Sequence, residues 1–194
     1  MKKHFAIGFL FIICSFSWGQ LPADTFYVYQ WEEALKADAN EVYSIDLSRS
    51  KLTELPEELK IFTNIKSINL NRNKLSSLPD FFKEFEHLEF VYMSRNQFTS
   101  FPYPLFYLLE IKHLDLSRNE IMSIPAGIEN LKKMVYLDVW DNKFTFIDPV
   151  FKELQQLQVI DFRGTTFSTA FVTHWTDAFP NAKVLFDKPC KCLD

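Results

Sequence analysis

Three aspartates, Asp115, Asp138 and Asp161, recur at an interval of 23 residues (138−115 = 161−138 = 23), and Arg49, Arg72, Arg95 and Arg118 recur at the same interval. Equal spacing in a repeating chain stacks such residues into columns at roughly the 4.8 Å separation of paired strands. Carboxylates that close together permit acid–base exchange or a weak cation site. Stacked guanidiniums permit capture of an anion, such as a carboxylate or a sulfated glycan. Asp46 and Asp115 are placed to offset the arginines, so much of this charge is expected to be mutually neutralised. The histidines outside the first 19 residues, His87, His113 and His174, do not group by spacing, and no phosphate-binding glycine loop, HExxH or G-x-S-x-G phrase occurs. An open, shallow sheet offers no desolvated cleft to shift the carboxylates. The expectation is a protein without catalytic residues, metal or cofactor.

The elements that position these columns are set by a row of asparagines, Asn73, Asn96, Asn119 and Asn142. Each closes the same phrase: Ile65-x-x-Ile68-x-Leu70-x-x-Asn73-x-Leu75-x-x-Leu78-Pro79, then Leu88-x-x-Val91-x-Met93-x-x-Asn96-x-Phe98-x-x-Phe101-Pro102, then Ile111-x-x-Leu114-x-Leu116-x-x-Asn119-x-Ile121-x-x-Ile124-Pro125. The phrase opens at Val42 with Ser50 in the asparagine place, continues from Met134, and last recurs from Leu157 with Thr165 there. Alternation in each phrase predicts a short strand with residues such as Ile68 and Leu70 turned inward. After Leu-Pro, pairs three apart such as Leu59 and Phe62, or Phe82 and Phe85, predict a helical or 3-10 return with one buried face, and the proline suits its start. An amide where the chain leaves the strand can both donate to and accept from backbone groups that the ladder does not reach.

Phrase and spacing together resemble the leucine-rich repeat family, in its 23-residue, Leu-Pro form. The resemblance covers about Val42 to Phe167. It implies a right-handed α/β solenoid with a parallel concave sheet, convex returns and a hydrogen-bonded asparagine column, here in six coils over residues 42–167. A solenoid needs its ends closed. Residues 20–41 are the expected entry cap, with a short amphipathic helix near Tyr29 to Asp38, and the run Glu33-Ala34-Leu35 leading into Val42-x-x-Ile45-x-Leu47 resembles the opening of many bacterial members. Residues 168–194 are the expected exit cap and tail, with Phe171, Val172, Trp175 and Phe179 on one helix face and Ala182 to Phe186 as a last strand. Caps at both ends predict an array complete as encoded, with no catalytic domain appended.

Of the 194 residues 47% are hydrophobic and 24% charged, a balance that excludes disorder and allows one domain with a full core. There are 21 Phe and only 4 Gly, so phenylalanine fills many places where the repeat ordinarily has leucine. The formal charge is −4, a sign that does not suit polyanionic nucleic acid. Lys2 and Lys3, the apolar run Phe5 to Phe16 and the small residues Ser17 and Gly19 read as a signal peptide over 1–19, cut before Gln20. That run is too short for a membrane span, and no later stretch is longer. The expectation is export from a bacterial-type cell, to the periplasm or beyond. Cys14 follows Ile13 rather than the small residue a lipidation site prefers. Cys190 and Cys192 are left to form a strained Cys-Lys-Cys loop, an intermolecular disulfide or a free tail, and two cysteines alone do not make a zinc site.

Two surface patches depart from the repeat. On the concave side, Phe90, Tyr92, His113, Tyr136 and Trp140 fall on adjacent coils, beside Asp138, Arg95 and Arg118, whereas the first two coils carry Ser44, Ser67, Asn69 and Asn71. Trp140 stands where other coils have Ser48, Asn71, Ser94 and Ser117. Exposed aromatics beside charges are characteristic material for a binding surface. A protein or peptide partner on this face is the first expectation, and a glycan stacked on Trp140 and Tyr136 is an alternative. On the convex side, Tyr103, Phe106, Tyr107 and Leu109, with Phe81 nearby, form an apolar run that predicts self-association, in the simplest case a homodimer.

Overall fold

Each strand segment alternates one inward residue between two outward ones, and the structure, a computed structural model describing residues 26–189, stacks these segments in parallel. The strands are β1 (Tyr29–Gln30), β2 (Ser44–Asp46), β3 (Ser67–Asn69), β4 (Phe90–Tyr92), β5 (His113–Asp115), β6 (Ser123–Ile124), β7 (Tyr136–Asp138), β8 (Phe146–Ile147), β9 (Val159–Asp161) and β10 (Lys183–Leu185). Eight of them form one sheet in the order β1-β2-β3-β4-β5-β7-β9-β10. Between coils the register advances by the repeat length, so that Ser67 pairs with Phe90, Phe90 with His113, and His113 with Tyr136. The central residues Ile45, Ile68, Val91, Leu114, Leu137 and Ile160 are fully buried. The second face of the core comes from 3-10 returns at Glu57–Ile61, Asp80–Glu84, Tyr103–Tyr107, Ile128–Asn130 and Pro149–Glu153. A return of three to five residues leaves room for one or two inward side chains, here Leu59, Phe82, Leu105, Ile128 and Phe151, all fully buried. Strands and returns thus close into an α/β solenoid with a parallel concave sheet, the fold class expected from the repeat phrase.

The asparagines fasten coil to coil. Asn96 Nδ2 donates to Leu70 O of the preceding coil at 3.0 Å and to Met93 O of its own at 3.1 Å, while Oδ1 accepts from Leu75 N at 3.0 Å. Asn73, Asn119 and Asn142 repeat the arrangement at offsets of 26, 3 and 21 residues. Each satisfies buried backbone groups outside the ladder, which would otherwise cost about 1–3 kcal/mol apiece. In the sixth coil Thr165 makes a different link to the coil before it, donating its hydroxyl to Asn142 O at 2.8 Å.

The ends differ in one respect from expectation. In place of a helix over Tyr29 to Asp38, Tyr29–Gln30 pairs with β2, and α1 (Trp31–Ala34) is a single turn. The open edge of β2 needs backbone partners, and this pairing supplies them. Trp31 then lies edge-on to Phe62 at 6.0 Å, and Ala34 is buried. At the other end α2 (Thr169–Ala178) starts at Ser168, whose hydroxyl accepts from Phe171 N at 3.2 Å. Its Trp175 and Phe179 close on Phe151 at 5.5 and 5.1 Å, and β10 completes the sheet against β9. A second, two-stranded parallel sheet, β6 with β8, was not legible in the repeat phrase. The expected signal peptide, with Cys14, and the pair Cys190 and Cys192 lie outside the described residues. Among those described, no helix is long and apolar enough to cross a membrane.

Candidate functional site

The concave face is built from three outward columns. The first is Ser44, Ser67, Phe90, His113, Tyr136 and Val159, and the second is Asp46, Asn69, Tyr92, Asp115, Asp138 and Asp161. Just past the strands comes Ser48, Asn71, Ser94, Ser117, Trp140 and Arg163. The second column has a backbone task that the sequence reading missed. Asp46, Asn69, Asp115, Asp138 and Asp161 each accept, through Oδ1, from the backbone N–H two residues on, at 2.8, 3.1, 2.9, 2.9 and 3.1 Å. These Asx turns end the strands. Tyr92 has no such acceptor, and Ser94 N donates instead to Asn71 Oδ1 of the coil before, at 2.6 Å. A column of Asp and Asn at the last strand position, two residues ahead of the N–H it accepts from, was the available signal.

Immediately after, the chain bends inward through left-handed backbone. Arg49, Arg72, Arg95, Arg118 and Asp141 all have φ between +54° and +60°, and Gly164 has +83°. Side chains in this region cost about 1–2 kcal/mol each. Past the bend Arg49, Arg72 and Arg95 are exposed to solvent. Arg95 makes no ion pair among the described residues. Arg118 alone joins the aromatic patch: its guanidinium lies 4.1 Å from the centre of the Trp140 ring and its Nε is 3.9 Å from Asp141 Oδ2.

The five aromatic positions come together as expected, with one correction. His113 is 5% exposed rather than free on the surface. Its ring stacks on Tyr136 at 4.3 Å and 4°, and lies tilted against Tyr92 at 5.0 Å. Its two neighbours come from the coils on either side, and together they shield it. Burial lowers its pKa to about 4, so it is neutral, and its Nδ1 has no hydrogen-bond partner. Phe90, Tyr92, Tyr136 and Trp140 are half-buried.

A second correction concerns the carboxylates. The open sheet does shift them: Asp138 is pushed up to about 7, first by burial and then by the charge of Asp115, with Asp161 adding to it. The Trp140 N–H and Arg163 act against this. Asp115 is also raised by burial, opposed by its bonds from Ser117. Tyr136 is raised by burial and by the negative charge of the three aspartates. Asp161 is buried but holds Arg163 through Nε at 2.9 Å and Nη2 at 2.5 Å. Side chains that close on a shielding aromatic row desolvate one another, which is how a shallow surface acquires a low local dielectric.

On the convex side the predicted patch is partly used up. Phe81 is buried, and Phe106 is half-buried, stacked on Phe101 at 5.2 Å and 7° and lying against Gly127, where a Cβ would meet the ring at 2.8 Å. Tyr103 is exposed but donates its hydroxyl to Asp80 Oδ1 at 2.6 Å. Tyr107 and Leu109 remain exposed, with Lys83 5.9 Å from the Tyr107 ring.

Among known proteins, the family described as leucine rich repeat matches residues 40–98 and again 110–131. No curated protein sequence matches the chain. A leucine-rich repeat protein of Leptospira interrogans is similar in structure, with a TM-score of 0.69 and 28% identity over 75% of this chain. This chain spans only 37% of that protein's length. Internalin C2 of Listeria monocytogenes shares the fold, with a TM-score of 0.55 and 19% identity over 62% of this chain and 51% of its own.

Proposed function

Since the chain is a leucine-rich repeat protein, a family whose domains generally mediate protein–protein binding and are typically non-enzymatic, we propose that it binds a protein or peptide through the concave face of coils three to five. The reading rests on one observation. Aromatic side chains occupy adjacent concave positions there, Phe90, Tyr92 and Tyr136 around buried His113 with Trp140 beside them, while the same columns of the first two coils hold serine, asparagine and Asp46. Large, rigid, partly exposed rings concentrate binding energy at the centre of interfaces. The perturbed carboxylates among them suit recognition as well as chemistry. Export from the cell is part of the same proposal and rests on the sequence of residues 1–19 alone.

A glycan on Tyr136 and Trp140 has less support, because His113 already covers one face of the first ring and Arg118 one face of the second. Self-association through the convex side rests on Tyr103, Tyr107 and Leu109 once Phe81 and Phe106 are accounted for. The concave reading is tested by affinity capture from the native cell envelope with wild-type protein and with the Tyr136→Ala, Trp140→Ala double variant. Capture of a protein partner by the wild type, reduced at least tenfold in the variant at unchanged thermal stability, is expected. Equal capture by both would refute it.

A further inference from the structure

The second concave column carries more negative charge than its backbone task requires. Asn69 performs that task in coil two, accepting from Asn71 N at 3.1 Å, as Asp138 accepts from Trp140 N at 2.9 Å. A neutral amide therefore suffices. Coils four to six instead stack Asp115, Asp138 and Asp161 in register on β5, β7 and β9. Asp115 also accepts from the Ser117 hydroxyl at 2.7 Å, and Asp161 holds Arg163. Asp138, between them, makes no ion pair among the described residues. Tyr136 and Trp140 flank it two residues to either side, and Trp140 already accepts one guanidinium on its ring. Aromatic faces attract cations, more strongly when water is partly excluded. An independent feature of the same face is also unmet: Nδ1 of buried His113, on the adjacent strand, has no hydrogen-bond partner.

We propose that Asp138, with Tyr136 and Trp140, forms the socket for a lysine or arginine side chain of an extended partner peptide lying across the concave strands. The inference rests on the concave-face reading above and adds the chemistry of the partner. The basic side chain supplies the missing counter-charge between two like charges, and its narrow hydrocarbon stem, unlike a sugar ring, needs only the part of each ring that His113 and Arg118 leave uncovered. The groups facing Asp138 are Asp115 from β5, Asp161 from β9 and Arg163 just beyond it, and Tyr136 on its own strand. With Asp138 titrating near neutrality in the free protein, a cation captured there favours the ionised form. Affinity is then about tenfold weaker at pH 6 than at pH 8.

The test is selection of binders from a random linear-peptide display library on the intact protein at pH 8, followed by affinity measurement of the enriched peptides. The expected peptides carry a lysine or arginine whose change to alanine weakens binding at least tenfold. Asp138→Asn weakens it to the same extent, and combining both changes adds little further. The pH dependence is expected to disappear in Asp138→Asn, whose fold is checked by thermal unfolding. Binders that need Tyr136 and Trp140 but carry no basic residue, or ignore Asp138→Asn, would overturn the socket while leaving the concave reading intact. Binders indifferent to Tyr136→Ala with Trp140→Ala would overturn both.

Discussion

At the scale of single residues, Asp138 makes the molecule's stability depend on pH in a direction opposite to that of a salt-bridged carboxylate. Its folded pKa, about 7, lies above the value of about 3.9 for an unfolded aspartate. Between those values the folded state holds a proton that the unfolded chain has released. Stability therefore falls as pH rises through this window and stays reduced above it. Asp138→Asn keeps the acceptor for Trp140 N, as Asn69 does for Asn71 N. It is expected to raise the thermal midpoint by roughly 5 °C at pH 8 and to change it little at pH 4, as followed by circular dichroism. An equal shift at both pH values would show that packing, not ionisation, is responsible. The positions of these side chains were legible in the sequence because phase alone assigns columns. Their state was not: the burial of His113 and the shift of Asp138 depend on rings and charges contributed by neighbouring coils, at distances that no single phrase specifies.

At the scale of elements, the inward bend after each strand is where backbone conformation limits substitution. Gly164 takes the place that arginine or aspartate fills in other coils, and a Cβ there would meet the Asp141 backbone N and Cα at 2.6 Å. Gly164→Ala is expected to cost about 2–4 kcal/mol, measured by urea denaturation. A loss below about 0.5 kcal/mol would mean that the sixth coil shifts freely away from the fifth. Strands, inward rows and 3-10 returns were readable because apolar residues recur at fixed intervals in residues 42–167. The entry strand Tyr29–Gln30 and the pair β6 and β8 were not, since two residues carry no periodicity and pair only because a neighbouring backbone presents itself. The left-handed column was hidden for another reason: arginine is not a residue whose type announces positive φ.

For the molecule as a whole, coils touch mainly their neighbours, so stability is nearly a sum of local terms, and the surface is free to vary without changing the fold. That is why fold was readable and partner was not. Export is tested at this scale: expressed in a bacterial host with its full sequence, the protein is expected to be recovered outside the cytoplasm with an intact mass beginning at Gln20, and a cytoplasmic product retaining Met1 would contradict it. The asparagine bonds carry one more implication. Their sequence offsets, 3, 21 and 26, are the same for every asparagine in the array. Excising residues 74–96 brings Gln97 next to Asn73 and Leu70 to the place Met93 held beneath Asn119, so each remaining amide meets the same backbone groups. Excising one residue fewer does not. The length of this protein is thus quantised: whole coils can be inserted or deleted as units, and the span of its recognition surface can change in steps of one strand.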